Sequence, residues 1–84
     1  MNLDELPNVG KVLRDALLQV DITTPEELRA AGAETAFRRI REQVDDGACL
    51  HMLYGIQGAI DGVRDNMLPQ AKKEELKAFF KSLK

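Results

Sequence analysis

Cys49-Leu-His-Met-Leu-Tyr-Gly-Ile-Gln-Gly-Ala-Ile-Asp-Gly-Val63 is the most apolar run in the chain and also the richest in small residues. Read as a helix, it sets Cys49, Leu53, Ile56, Ile60 and Val63 on one stripe, and Leu50 with Tyr54 widens that stripe past a normal amphipathic face. Gly55, Gly58, Ala59 and Gly62 make a second, thin stripe where another backbone can come close. A glycine costs about 1 kcal/mol relative to alanine in a helix interior. Close packing of a neighbouring helix is the simplest compensation, and a crossing is expected at Gly55, Ala59 and Gly62. A helix apolar on most of its circumference is surrounded by other helices, so this stretch predicts the centre of a small all-helical domain.

The flanking segments agree with that reading. Leu3 and Leu6 are spaced for one short turn, stopped at Pro7 because the residue before proline disfavours helix. Pro-Asn-Val-Gly is a turn by composition. From about Gly10 a helix follows, with Val9, Val12, Leu13, Ala16, Leu17 and Val20 inward and Lys11, Arg14, Asp15 and Gln19 outward. Ile22-Thr-Thr-Pro-Glu-Glu-Leu28 carries the strongest helix start: Thr24 caps, Pro25 occupies the first helical position and Glu27 completes a capping box. Leu28 and Ala31 face the core, and Gly32 closes this short helix as a left-handed cap.

The next helix runs from Ala33 to about Val44, with Ala33, Ala36, Phe37, Ile40 and Val44 inward and Arg38, Arg39, Arg41 and Glu42 outward. Asp45-Asp46-Gly47 is a short loop whose acids suit the positive end of the central helix that follows. After that helix, Arg64-Asp-Asn-Met-Leu68 breaks the pattern. Pro69 then opens a last helix with Leu76, Phe79, Phe80 and Leu83 inward. No stretch alternates with period two, so no sheet is expected.

At 84 residues the chain is a single domain spanning 1–84, large enough to fold on a modest core. A hydrophobic content of 44% with 31% charged residues places it among soluble globular proteins. The single Cys49 excludes an intramolecular disulfide and suits a reducing compartment. No apolar run approaches the ~18 residues of a membrane span, and Met-Asn-Leu-Asp-Glu lacks the basic and apolar regions of a signal peptide. A cytoplasmic protein without a membrane role is expected. The net charge of −2 gives no global attraction to nucleic acid or anionic lipid. Residues 1–37 carry three basic and seven acidic side chains, residues 38–84 nine and seven, and mixed-sign helix surfaces account for that asymmetry.

Leu6-Pro7-Asn8-Val9-Gly10-Lys11, then Leu13, Leu17 and Ile22-Thr23-Thr24-Pro25-Glu26-Glu27-Leu28, resembles a helix-hairpin-helix segment: a Pro-Gly-hydrophobic-Gly turn, a helix, and a hydrophobic-x-Thr-x-x-x-Leu entry to the next helix. With Leu28-Arg-Ala-Ala-Gly-Ala-Glu-Thr-Ala-Phe-Arg-Arg-Ile40, the central run to Gly62, Leu68-Pro69 and Leu76-Lys-Ala-Phe-Phe80, nearly the whole chain is similar to the C-terminal domain of the TfoX/Sxy family. The resemblance implies an all-α compact bundle of about five helices, with a helix-hairpin-helix (SAM-like) N-terminal part around the central apolar helix. It also implies regulation of natural competence and DNA-uptake genes in bacteria, without an established catalytic activity. Family members often carry an additional N-terminal domain, for which these 84 residues hold no counterpart.

Two candidate sites emerge. In DNA-binding hairpins, glycines let backbone N–H groups at a helix start approach a phosphate while a nearby Lys or Arg adds charge. Here Asn8, Val9, Gly10, Lys11 and Arg14 are the candidates. Asn8 stands at the first glycine of the pattern, and Asp4, Glu5, Asp15 and Asp21 oppose phosphate binding, so a structural turn is the favoured use. Arg38, Arg39 and Arg41, joined by Arg64 and the C-terminal lysines, form the only basic concentration. Without interleaved aromatics for base stacking, a solvated helix face is the default.

His51 and Cys49 are the only soft metal-ligand types, too few for zinc, and a buried or half-buried thiol is expected at Cys49. There is no phosphate loop, triad or dinucleotide fingerprint. The sequence therefore predicts no enzyme, cofactor or metal. The resemblance implies a regulatory or interaction module acting through an unidentified protein partner, self-association included, with a DNA-binding accessory module as the alternative.

Overall fold

Every helical period in the sequence becomes a helix. The computed structural model describes residues 2–83, which form α1 (Lys11–Gln19), α2 (Pro25–Ala31), α3 (Ala33–Gln43), α4 (Leu50–Asp61) and α5 (Gln70–Ser82). Two 3-10 turns, Leu3–Glu5 and Asp65–Met67, complete the chain, and no strand occurs among the described residues. α4 packs against α2, α3 and α5. Its Leu53, Ile56 and Ala59 are sealed from solvent together with Leu17, Leu28, Phe37, Ile40 and Leu76 from the other four helices. Burying a Leu, Ile or Phe contributes roughly 1.5–3 kcal/mol, so this cluster is the main source of stability. Among the described residues the core holds no polar or charged side chain.

Each helix end has a local cause. Leu18 O accepts from Asp21 N–H and Leu17 O from Ile22 N–H, closing α1 in a Schellman arrangement around a left-handed Asp21 (φ 64°). At α2 the Thr24 hydroxyl accepts from Glu27 N–H at 3.1 Å, and Pro25 starts the helix as expected. The reciprocal half of the box differs. The Glu27 carboxylate accepts from Thr23 N–H at 2.7 Å and Thr23 Oγ1 at 2.6 Å, one residue before the cap. The Thr23 hydroxyl and then its N–H hold the Glu27 carboxyl below the usual carboxylate range. A depressed folded value stabilises the fold above the ordinary carboxylate pKa, and that contribution is lost as pH falls through the folded value. Thermal melts across the acid range are therefore expected to fall less steeply with pH for Glu27→Gln than for the parent.

Gly32 departs from the left-handed cap expected of it. Its φ of 84° is positive, but ψ of 159° is extended, and it serves both as the end of α2 and as the residue that starts α3. This one-residue joint lies in a backbone region that is essentially glycine-only. No heavy atom stands within 4 Å of a Cβ placed there, so the strain is purely conformational. Gly32→Ala is expected to cost about 1–3 kcal/mol, measured by urea denaturation.

Other expectations are corrected. Val12, assigned to the inward face of α1, is 77% exposed, because Val9, Leu13, Ala16 and Leu17 already fill that stripe. Cys49 lies just outside α4 as its N-terminal cap residue and is exposed, neither buried nor half-buried. Gly62 is no crossing point: it adopts the left-handed conformation (φ 75°, ψ 26°) that ends α4, and Val63 N–H closes back on Gly58 O at 2.9 Å. Asp45 turns its carboxylate to its own loop, accepting from Gly47 N–H at 2.9 Å. Arg41 does not point freely outward. Its guanidinium lies 5.2 Å from the centre of the Phe80 ring, which is tilted against Phe37 at 5.9 Å and so ties α3 to α5.

Candidate functional site

The turn at residues 7–10 and the central helix meet at Asn8. Proline at position 7 leads the chain into a tight turn, and Asn8 takes a left-handed φ of 68°, which asparagine tolerates better than most residues. That conformation turns its side chain inward. Asn8 Nδ2 donates to Gly55 O at 3.3 Å and to Val63 O at 2.9 Å, and Oδ1 accepts from Asp65 N–H at 3.1 Å. One amide thus joins the turn to the middle of α4, to its C-terminal exit and to the following 3-10 turn. Gly55 and Gly58 make room for it: a Cβ on Gly55 would stand 3.6 Å from Asn8 Cβ, and one on Gly58 only 2.5 Å from Asn8 Nδ2. At Gly55 and Gly58 the small-residue stripe of α4 therefore admits a side chain from a turn rather than the backbone of a crossing helix.

Beside this clamp lies an open cleft of about 620 Å³. Asn8 and Gly10 of the turn, Lys11, Val12 and Leu13 of the first turn of α1, and Cys49, His51, Met52 and Gly55 of α4 line it, with Arg64 and Asp65 closing one side. Val12 is one of three large apolar side chains left exposed among the described residues, with Leu18 and Met67, and of the three it alone lines this cleft. His51 is exposed, and its Nε2 lies 3.0 Å from Asp65 Oδ2, an ion pair when the imidazole is protonated. Cys49 shares the cleft with His51, although helical spacing sets the two facing apart, because Cys49 precedes the helix rather than lying in it. Among the described residues no group of three or more His, Cys, Asp or Glu is placed to hold a metal ion. Among the described residues no helix is long and apolar enough to cross a membrane.

The family whose pattern matches this chain is described as the TfoX C-terminal domain, and the match runs over residues 1–80. The chain belongs to that family. It is 33% identical over 81 residues to Protein Sxy of Escherichia coli (strain K12), covering 96% of this chain and 38% of that protein. The chain thus spans well under half the length of this relative. Two solved structures share the fold at 48% identity. One is an uncharacterized protein from Listeria monocytogenes in a triclinic form, with a TM-score of 0.96, covering 99% of this chain and 93% of that one. The other is a protein of unknown function from Listeria monocytogenes in a tetragonal form, with a TM-score of 0.95, covering 99% of this chain and 100% of that one.

In this TfoX C-terminal domain the candidate basic residues do not converge. Asn8, Gly10 and Lys11 reach the cleft, whereas Arg14, Arg38, Arg39 and Arg41 do not line it. Val9 is buried and contributes to the core. Arg14 is held by acids on both sides, 3.4 Å from Asp4 Oδ2 and 3.4 Å from Asp15 Oδ1. Arg38 and Arg39 are exposed on α3, and Arg41 lies over Phe80. Of the C-terminal lysines, Lys81 is exposed and Lys84 lies outside the described residues. Sequence reasoning missed Val12, Met52, His51 and Arg64 as neighbours in one cleft. The available signal was at Val12, which lies about 100° around α1 from Leu13 and so at the edge of the inward stripe.

Proposed function

We propose that this chain is a non-enzymatic regulatory module that acts in the cytoplasm through protein–protein contacts, in keeping with the competence regulation associated with its family. The observation that carries this reading is Val12: a β-branched apolar side chain 77% exposed at the mouth of a cleft, with Leu13 and Met52 beside it. A singly exposed apolar residue is ordinary on a protein surface, but here Leu13 and Met52 continue Val12 into a concave lining, the usual form of a binding site. His51 pairs with Asp65 in the cleft, but among the described residues no hydrogen bond joins either to Cys49, so the nucleophile–base pair of acyl transfer is not assembled.

The test uses the tagged chain and its Val12→Asp variant as baits in native lysate of the source bacterium. Val12 makes so little contact that the substitution is expected to change stability by about 0.5 kcal/mol or less, checked by circular dichroism. The parent should enrich a discrete protein that Val12→Asp loses at least several-fold. Equal recovery by both baits, or recovery by neither, overturns the reading.

A second reading, a DNA-binding accessory module, draws support from Lys11. It is exposed in the first turn of α1, whose cap residue Gly10 offers no side-chain acceptor. Asp4 and Asp15 beside Arg14 weigh against it. A titration of duplex DNA at low salt decides between the two.

A further inference from the structure

The charges around the cleft specify more than an apolar contact, provided that this face is a protein contact as proposed above. The first turns of two long helices, α1 and α4, both line the cleft, and neither cap residue, Gly10 nor Cys49, makes a side-chain capping hydrogen bond. First-turn N–H groups of α1, and those of Leu50 and His51 in α4, are left without a helical partner and carry the positive end of the helix dipole. Met52 N–H instead closes on Cys49 O at 3.0 Å. Lys11 and Arg64 are exposed on the rim, and neither forms an ion pair among the described residues. Among the described residues the single acid on the lining is Asp65, whose carboxylate faces His51 and whose backbone N–H is taken by Asn8. The rim is therefore net positive in a chain whose overall charge is negative.

The floor is aliphatic. Leu13 and Met52 supply it, the exposed Val12 stands at the mouth, and among the described residues no aromatic side chain lines the cleft. Bases bound to protein gain much of their affinity by stacking on aromatics, which this floor does not offer. An aliphatic side chain gains from an unbranched, adaptable Met and a β-branched Val. We infer that the cleft binds an acidic segment of a partner protein. One aliphatic side chain of that segment sits on Val12, Leu13 and Met52, and flanking Asp or Glu carboxylates meet Lys11, Arg64 and the two helix starts. The cleft volume is that of a site for a few side chains rather than a whole domain face.

The test is selection of phage-displayed random peptides on the full chain, with counter-selection on Val12→Asp. Enriched peptides are expected to carry Asp or Glu within two positions of Leu, Ile, Val or Met. A synthetic member should shift the Gly10 and Gly55 amide signals in 15N-edited NMR spectra. Its affinity should fall about five- to tenfold on Lys11→Glu or Arg64→Glu, as for charges facing a complementary partner, and fall with added salt. Neutral or basic peptides that still depend on Val12 would overturn the acidic assignment while leaving the face a protein contact. No Val12-dependent peptide, together with a Val12-independent lysate result, would overturn both. Displacement of the peptide by duplex DNA, sensitive to Lys11→Glu but indifferent to Val12→Asp, would assign the rim to nucleic acid and overturn the inference.

Discussion

Asn8→Ala is expected to lower stability by about 2–4 kcal/mol, from three lost side-chain hydrogen bonds worth about 1 kcal/mol each and the strain of an alanine at positive φ. For a domain of this size that is a fall of roughly 10–25 °C in melting temperature. The reason is local and specific. Val63 O and Asp65 N–H find their side-chain partners in one amide group, which also adds a bond to the helical carbonyl of Gly55. Asn8→Gly relieves the backbone strain but loses the same bonds, and should lie about 1 kcal/mol above Asn8→Ala. Asn8→Asp keeps the acceptor for Asp65 N–H but turns a carboxylate oxygen toward two carbonyls, so at neutral pH it should be the least stable of the three. Urea denaturation of the series measures this ordering. A change under about 0.5 kcal/mol for Asn8→Ala, the range of an ordinary surface substitution, would mean the clamp contributes little.

The second large effect is a difference in sign between two glycines of one helix. A Cβ on Gly58 would stand 2.5 Å from Asn8 Nδ2 and 2.6 Å from Val63 O, and neither can yield: the amide is pinned by its bonds and the carbonyl is backbone. Overpacking of this kind costs about 1–3 kcal/mol or more, which exceeds the gain of about 1 kcal/mol in helix propensity. Gly58→Ala should therefore destabilise. Gly55→Ala meets only Asn8 Cβ at an ordinary 3.6 Å and keeps the propensity gain, so it should be neutral or stabilising by up to about 1 kcal/mol. In an Asn8→Gly background the Gly58→Ala penalty should shrink but persist, because Val63 O remains. Thermal melts of the four proteins check the coupling directly.

Asn8 and Gly58 lie at the boundary between what the residues announce and what they do not. Thr24, Pro25 and Gly32 announce helix ends because a cap, a proline and a glycine act on their own neighbours. The apolar periods of α1, α3 and α4 locate the core because burial follows the face of a helix. The glycine stripe of α4 correctly signals a close approach. It does not say by what, since the answer is an asparagine 47 residues away from Gly55. The same distance hides the role of Asn8, which local reasoning compares with a missing glycine in a phosphate-binding turn. Periodicity misplaces Val12 because it counts every apolar residue near the stripe, while Val9, Leu13, Ala16 and Leu17 already fill the inward face and leave Val12 beyond its edge. Arg41 reads as solvated in sequence, and only the tertiary placement of Phe80 gives it a partner. The cleft is legible in none of these local terms: it joins residues from 8 to 65 that share no pattern along the chain.

Asn8 builds the turn, the turn presents Val12 and Lys11, and together with the start of α4 they form the face through which the protein is proposed to meet another protein rather than a phosphate backbone. The most direct test is a fluorescence anisotropy titration of labelled duplex DNA at about 50 mM salt, where nonspecific binding is strongest and falls steeply as salt is raised. No saturable binding to the parent chain is expected, and no difference between it and Lys11→Glu or Arg38→Glu. Saturable binding that falls steeply with salt and is lost in those two variants, but retained in Val12→Asp, would contradict a protein-binding face.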